Sequence, residues 1–247
     1  MFKNKEGQRV PKVTFRTRKN GEWVNTDTDK IFKNKTVVVF SLPGAYTPTC
    51  SSAHVPGYNE FAPAMRKCGV DEIACVSVND AFVMSAWQKD QQADGLTFIP
   101  DGNGEFTEKL GMLVDKSDLG FGKRSWRYSM LVKNGVIKKM FIEPDKPGDP
   151  YEVSDAETML KYLNPKAARP PRITVFTKKG CPYCAKAKKM LKDRALRFEE
   201  IEIGGNVSAS TLYAVAGKDT VPQVFVDGHR VGGSDDLEKY IKKGGLS

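Results

Sequence analysis

Residues 164 to 171 read Asn-Pro-Lys-Ala-Ala-Arg-Pro-Pro, a polar stretch with three prolines and no apolar periodicity. Proline cannot donate a ladder hydrogen bond and fixes its own φ, so this segment continues neither a helix nor a central strand. The chain must close one core before it and a second after it. Of the 247 residues, about 165 precede the joint and 76 follow it, which suits two domains of ordinary size. We therefore expect domains at 1–165 and 172–247, with 166–171 as linker.

Both parts alternate strand and helix patterns. Before the joint, apolar runs at 36–42, 73–78, 127–132 and 136–142 read as strands, the last pair joined at Asn134-Gly135, a two-residue hairpin signal. Helical spacing falls at 61–67, 80–92, 104–110 and 154–163, where Ser154 and Glu157 form a capping-box pattern. After the joint the order is strand 173–176, helix 182–194, strand 198–203, helix 208–216, hairpin 223–231 and helix 234–242. The expected class is α/β, with a mixed central sheet flanked by helices in each domain.

Composition limits the functional classes. The longest apolar run, Val37-Val38-Val39-Phe40, is far short of the roughly 20 residues that span a bilayer, and Met1-Phe2-Lys3-Asn4-Lys5 leads into polar sequence. Five cysteines in 247 residues lack the density of a disulfide scaffold, so a reducing, cytoplasmic setting with reactive thiols is expected. The net charge is +9. From Arg172 onward there are 14 basic and 9 acidic residues, an excess of +5, leaving +4 before it. A nucleic-acid surface would cluster that excess in a stripe, so neither nucleic acid nor membrane is an expected partner.

Chemistry concentrates at two cysteines, each between a strand pattern and a helix pattern. Cys181-Pro182-Tyr183-Cys184 follows strand 173–176. Half a zinc site has the same spacing, but zinc needs four ligands, and this domain offers no further cysteine and only His229. A thiol at a helix N-terminus faces unpaired N–H groups and the positive end of the dipole, which favour thiolate. Cys181 is the expected nucleophile and Cys184 its inner partner. Pro43-Gly44-Ala45-Tyr46-Thr47-Pro48-Thr49-Cys50 follows strand 36–42 in the same way. A thiol that splits a peroxide O–O bond needs hydrogen-bond donors around the oxygens and a cation to share the developing charge. Thr47 and an arginine would supply them. His54 reads as an ordinary helix residue, Cys75 as a core thiol in strand 73–78, and Cys68 as a helix-end residue.

The second domain resembles the glutaredoxins through Thr177-Lys178-Lys179-Gly180-Cys181-Pro182-Tyr183-Cys184, Thr220-Val221-Pro222 and Gly232-Gly233-Ser234-Asp235-Asp236. That resemblance implies a thioredoxin fold, a cis Pro222, and a glutathione site of Lys178, Tyr183, Thr220, Val221, Pro222, Ser234, Asp235 and Asp236. Tyr213 stands where many relatives carry Arg or Gln. The first domain resembles type-five atypical peroxiredoxins, also of thioredoxin fold, through Pro43…Thr47…Cys50, Val76-Ser77-Val78-Asn79-Asp80 and Arg127-Tyr128-Ser129-Met130. It implies that Cys50 is the peroxidatic cysteine, with Pro43, Thr47 and Arg127 around it and Arg124 as a helper.

Some type-five relatives carry a resolving cysteine just beyond Ile142-Glu143-Pro144-Asp145. Here Lys146-Pro147-Gly148-Asp149-Pro150-Tyr151 has none. The whole chain thus resembles hybrid peroxiredoxin–glutaredoxin proteins. It is expected to be a homo-oligomeric (dimer or tetramer) thiol peroxidase acting on hydrogen peroxide and organic hydroperoxides, with glutathione as co-substrate and neither metal nor prosthetic group. Two alternatives stay open: a deglutathionylating oxidoreductase, and a peroxide-sensing relay that oxidises a partner protein.

Overall fold

The computed structural model describes residues 2–19, 21–194, 196–204 and 207–246. It divides into two compact units, Met1–Arg169 and Pro170–Ser247. The division falls inside the proline-rich joint. Ala167 packs on the first unit's core and Arg169 pairs with Glu60, so the start of the joint belongs to that unit.

The first unit begins with a hairpin, β1 (Thr14–Lys19) and β2 (Glu22–Asp27), and a short helix α1 (Thr28–Phe32). There follow β3 (Thr36–Ser41), a π-type turn Cys50–His54, α2 (Val55–Lys67), β4 (Glu72–Ser77), α3 (Ala81–Asp90), β5 (Thr97–Pro100), α4 (Glu105–Leu110), β6 (Leu113–Asp115) and β7 (Lys123–Ser125). The unit ends with β8 (Tyr128–Lys133), β9 (Val136–Ile142) and α5 (Ala156–Leu163). Its main sheet has the order β5-β4-β3-β8-β9, parallel among the first three strands and antiparallel at β8 and β9.

Central β3 is buried on both faces, which explains its unbroken apolar run. Val38 and Phe40 enter one core with Tyr58, Met65, Trp87 and Leu160, while Val37 and Val39 enter the other with Phe15, Phe32, Phe106 and Leu110. The β8–β9 turn has positive φ at both Asn134 (48°) and Gly135 (75°), the backbone that this dipeptide suits.

The second unit is β10 (Ile173–Thr177), α6 (Pro182–Lys192), β11 (Glu199–Glu202), α7 (Ala209–Ala216), β12 (Gln223–Val226), β13 (His229–Gly232) and α8 (Ser234–Lys242). Its sheet runs β11-β10-β12-β13, with β10 parallel to β11 and antiparallel to β12. Ala187, Leu191 and Leu237 cover one face and Leu212 and Ala216 the other. Both units have the thioredoxin fold.

One reading of the sequence is corrected, and one element goes beyond those expected. The hairpin of β1 and β2 was not expected, because charged Arg16, Arg18 and Glu22 interrupt its apolar signal. Helix α5 is capped by Asp155, whose carboxylate accepts from Thr158 N at 2.9 Å, and not by Ser154. The Ser154 hydroxyl is instead committed to buried Glu143 at 2.7 Å. Among the described residues no helix is long and apolar enough to cross a membrane.

Candidate active site

Each cysteine pair or single cysteine of interest lies just past the strand at the heart of its sheet. In the first unit the loop after β3 is held from several sides. Asn79 Oδ1 accepts from Ala45 N at 3.0 Å and from Ser77 Oγ at 2.7 Å. Tyr46 OH donates to Asp90 at 2.6 Å, and Trp87 Nε1 donates to Ser51 Oγ at 3.1 Å. Pro43 is buried in this loop, and Thr47 Oγ1 donates to the Gly44 carbonyl at 2.9 Å. Cys50 opens the π-type turn that leads into α2 and is fully buried. Such π-turns recur at functional sites because they re-aim one side chain without ending the helix.

Arg127, immediately before β8, is 1% exposed. Its Nη2 lies 3.5 Å from Cys50 Sγ and also donates to Asp149 Oδ2. Its Nε donates to Asp149 Oδ1 at 3.1 Å, completing a two-pronged ion pair. The remaining nitrogen, Nη1, donates to His54 Nδ1 at 2.9 Å. Guanidinium has no acceptor, so Nδ1 must be the unprotonated nitrogen; Nε2–H then donates to the Ser154 carbonyl at 3.2 Å. Burial, reinforced by the Arg127 charge, holds His54 well below the usual histidine range. Burial also opposes the charge on Arg127, but Asp149 and Cys50 outweigh it and raise Arg127 above its ordinary value.

Behind these groups a carboxylate organises the backbone. Glu143 is 1% exposed and accepts from the N–H groups of Glu152 (2.9 Å), Val153 (3.0 Å) and Ser154 (2.8 Å) and from Ser154 Oγ. Its own N–H donates to the Arg127 carbonyl at 3.1 Å. The Ser154 carbonyl in turn receives Tyr58 OH at 2.9 Å beside His54. Tyr151 closes over the pair, its ring 5.6 Å from the Arg127 guanidinium and 5.0 Å from the His54 ring.

Pro43, Thr47 and Cys50 therefore share one loop and turn, and Arg127 reaches the sulfur. Arg124 is engaged by the Val78 carbonyl and stands beside the Phe121 ring. Cys75 is a buried core thiol, pushed well above its usual range by burial and then by neighbouring Cys50. His54, Glu143, Asp149 and Tyr151 were missed as site residues. Their roles depend on contacts across 73, 11, 22 and 97 positions for the links His54–Arg127, Glu143–Ser154, Arg127–Asp149 and His54–Tyr151, and no local pattern signals such pairs.

In the second unit Cys181 caps α6, with its Sγ 3.2 Å from Cys184 N, and the two cysteines are joined as a disulfide. Cys184 is buried while Tyr183 and Lys178 are exposed. The Val221–Pro222 peptide is cis, as the resemblance implies, and Cys181 Sγ lies 3.9 Å from the Val221 carbonyl. Thr220 is exposed and its carbonyl accepts from Gln223 Nε2 at 2.9 Å. Ser234 begins α8. Asp236 Oδ2 accepts from Gly233 N at 3.0 Å, closing the turn before the helix. Asp235 is engaged by Lys186 at 2.8 Å, which holds its carboxyl pKa below the ordinary carboxylate value. Lys186 also pairs with Glu238 at 3.0 Å, a contact that sequence reading missed. Among the described residues no cluster of His, Cys, Asp and Glu is arranged to hold a metal.

Two family models match the chain, one within each unit. The Redoxin family model matches residues 5–160 and the Glutaredoxin model residues 173–231. Hybrid peroxiredoxin hyPrx5 of Haemophilus influenzae is 63% identical over 236 residues, covering 96% of this chain and 98% of its own. Peroxiredoxin sll1621 of Synechocystis is 54% identical, covering 68% of this chain and 94% of its own. Among solved structures, reduced Prx3 of Vibrio vulnificus in complex with hydrogen peroxide is 43% identical, with a TM-score of 0.61, over 64% of this chain and 98% of that one. With a redoxin unit built around Cys50 and Arg127 and a glutaredoxin unit built around Cys181 and Cys184, the chain belongs to the hybrid peroxiredoxins.

Proposed function

We propose that this protein is a glutathione-dependent thiol peroxidase whose two units act in sequence. The observation that carries the reading is the Arg127 Nη2 to Cys50 Sγ approach of 3.5 Å. A guanidinium N–H aimed at sulfur stabilises negative charge there, and remains in place as charge moves to the peroxide oxygens. Cys50, as thiolate, attacks the terminal peroxide oxygen. The O–O bond breaks, the attacked oxygen stays on sulfur as a sulfenic acid, and the oxygen that carries the substituent leaves and takes a proton to give an alcohol, or water from hydrogen peroxide. Thr47, Pro43 and Arg127 shape and polarise the space in which this occurs.

Glutathione then condenses with the sulfenic acid, releasing water and leaving a mixed disulfide on Cys50. Cys181, once its disulfide with Cys184 has been reduced, attacks the glutathione sulfur and frees the Cys50 thiolate. A second glutathione removes the first from Cys181 as glutathione disulfide. One hydroperoxide and two glutathiones thus give an alcohol, water and glutathione disulfide. Tethering the two units raises their effective concentration for the transfer. Lys178, Tyr183, Thr220, Val221, Pro222, Ser234, Asp235 and Asp236 are the proposed glutathione contacts, and we extend the reading to a cytoplasmic homo-oligomer.

The test is trapping. After one equivalent of hydroperoxide and excess glutathione, Cys181→Ser should accumulate a glutathione adduct on Cys50, seen by peptide mass, whereas the wild type should not. Absence of the adduct from the variant would remove glutathione from the cycle.

A further inference from the structure

We propose that Asp149 determines the charge of the peroxide that this site accepts, disfavouring hydroperoxides that carry a carboxylate and leaving neutral ones as the preferred substrates. The inference rests on the peroxidase reading of Cys50 and adds a substrate class to it.

Cys50 and His54 are fully buried and Arg127 is 1% exposed. Asp149 is the charged side chain of this group that meets solvent, at 37% exposure. A hydroperoxide must bring its terminal oxygen to Cys50 Sγ, and Arg127 Nη2, 3.5 Å from that sulfur, also holds Asp149 Oδ2. Any substrate in reach of the sulfur is therefore within a few ångströms of a fixed carboxylate. On the loop that carries it, Lys146 is paired with Glu152, and Lys116 approaches the loop at the Gly148 carbonyl, 3.4 Å away.

The loop is also held in place. Glu143 fixes its far end through the N–H groups of residues 152 to 154, and the two-pronged contact with Arg127 fixes Asp149 itself. A carboxylate so restrained cannot swing away from an approaching anion without giving up both bonds to Arg127. At a partly solvated site, two like charges about 4 to 6 Å apart change a rate by about threefold to tenfold.

The test compares single-turnover consumption of cumene hydroperoxide and of its ring-carboxylated analogue by prereduced protein without glutathione. The quantity read is the ratio of second-order rate constants, carboxylated over neutral, for wild type, Asp149→Asn and Asp149→Glu. We expect the ratio to rise by about threefold to tenfold in Asp149→Asn, to stay at the wild-type value in Asp149→Glu, and to rise in wild type with added salt. Loss of Arg127 positioning would slow both substrates together and leave the ratio unmoved. An unmoved ratio in Asp149→Asn, with wild type active on the neutral peroxide, would overturn the inference alone. A wild type inert to both peroxides would overturn the peroxidase reading and this inference with it.

Discussion

Arg127 Nη1 donates to His54 Nδ1 at 2.9 Å, and that bond fixes the orientation of the guanidinium whose other nitrogens face Cys50 and Asp149. The chain of dependence continues through His54 Nε2 to the Ser154 carbonyl and through the Ser154 N–H to Glu143. The reactive thiol is thus surrounded by groups oriented by a buried carboxylate four links away.

Arg127→Lys should retain a positive charge yet lose the geometry, because an ammonium cannot serve Asp149, His54 and Cys50 in one plane. Loss of one such donor to developing charge typically costs about 10² to 10³ in rate. The second-order rate constant of Cys50 with hydrogen peroxide should fall by that order, measured by stopped flow. A fall of less than about threefold would mean that charge alone suffices.

His54 gives a pH signature in stability. Its folded value lies well below the ordinary one near 6.5, because of burial and then Arg127. The unfolded chain therefore takes up a proton as pH falls below about 6.5 while the folded chain does not. The stability that neutral His54 provides is present above that pH and is lost as pH falls toward the folded value, with a slope of about 1.4 kcal/mol per pH unit. All three tryptophans, Trp23, Trp87 and Trp126, lie in the first unit, so their fluorescence in urea follows that unit alone. His54→Gln should flatten this acid limb between about pH 6.5 and 5. An unchanged slope would show that His54 titrates alike in both states.

Glu143→Gln should destabilise the first unit by about 2 to 3 kcal/mol, since an amide presents a donor to at least one of the three backbone N–H groups that the carboxylate now receives. The same fluorescence transition measures it. A change under about 0.5 kcal/mol would mean that the loop at 144–154 is held by other contacts.

Cys184→Ser should keep most of the glutathione-supported turnover if, as proposed, Cys181 is released by a second glutathione and not by its neighbour. Loss of more than about nine tenths of the steady-state rate would instead place the Cys181–Cys184 disulfide on the catalytic cycle.

Much of this molecule was legible in the sequence wherever the physics is local. The run Val37 to Phe40, the Asn134-Gly135 turn and the Pro182 start of α6 each carry their own signal in a few residues. Cys50 and Cys181 stand out because a thiol at a strand-to-helix junction has a sequence signature, and both sit at such junctions. Asp149 and Glu143 were not, because a carboxylate in a polar loop and a glutamate at a strand end look like solvated surface until the fold brings Arg127 and residues 152–154 to them. Ser154 misled for the same reason: its spacing to Glu157 fits a cap, yet a buried carboxylate is the stronger partner for its hydroxyl.

In the proposed cycle the electrons that reduce peroxide at Cys50 come from glutathione through Cys181. Steady-state hydroperoxide consumption with glutathione as sole reductant, compared between wild type and Cys181→Ser, tests it most directly. The account predicts sustained turnover in wild type and, in the variant, a burst of about one equivalent followed by near-arrest. Equal sustained turnover in both would contradict it, since glutathione would then regenerate Cys50 without the second unit.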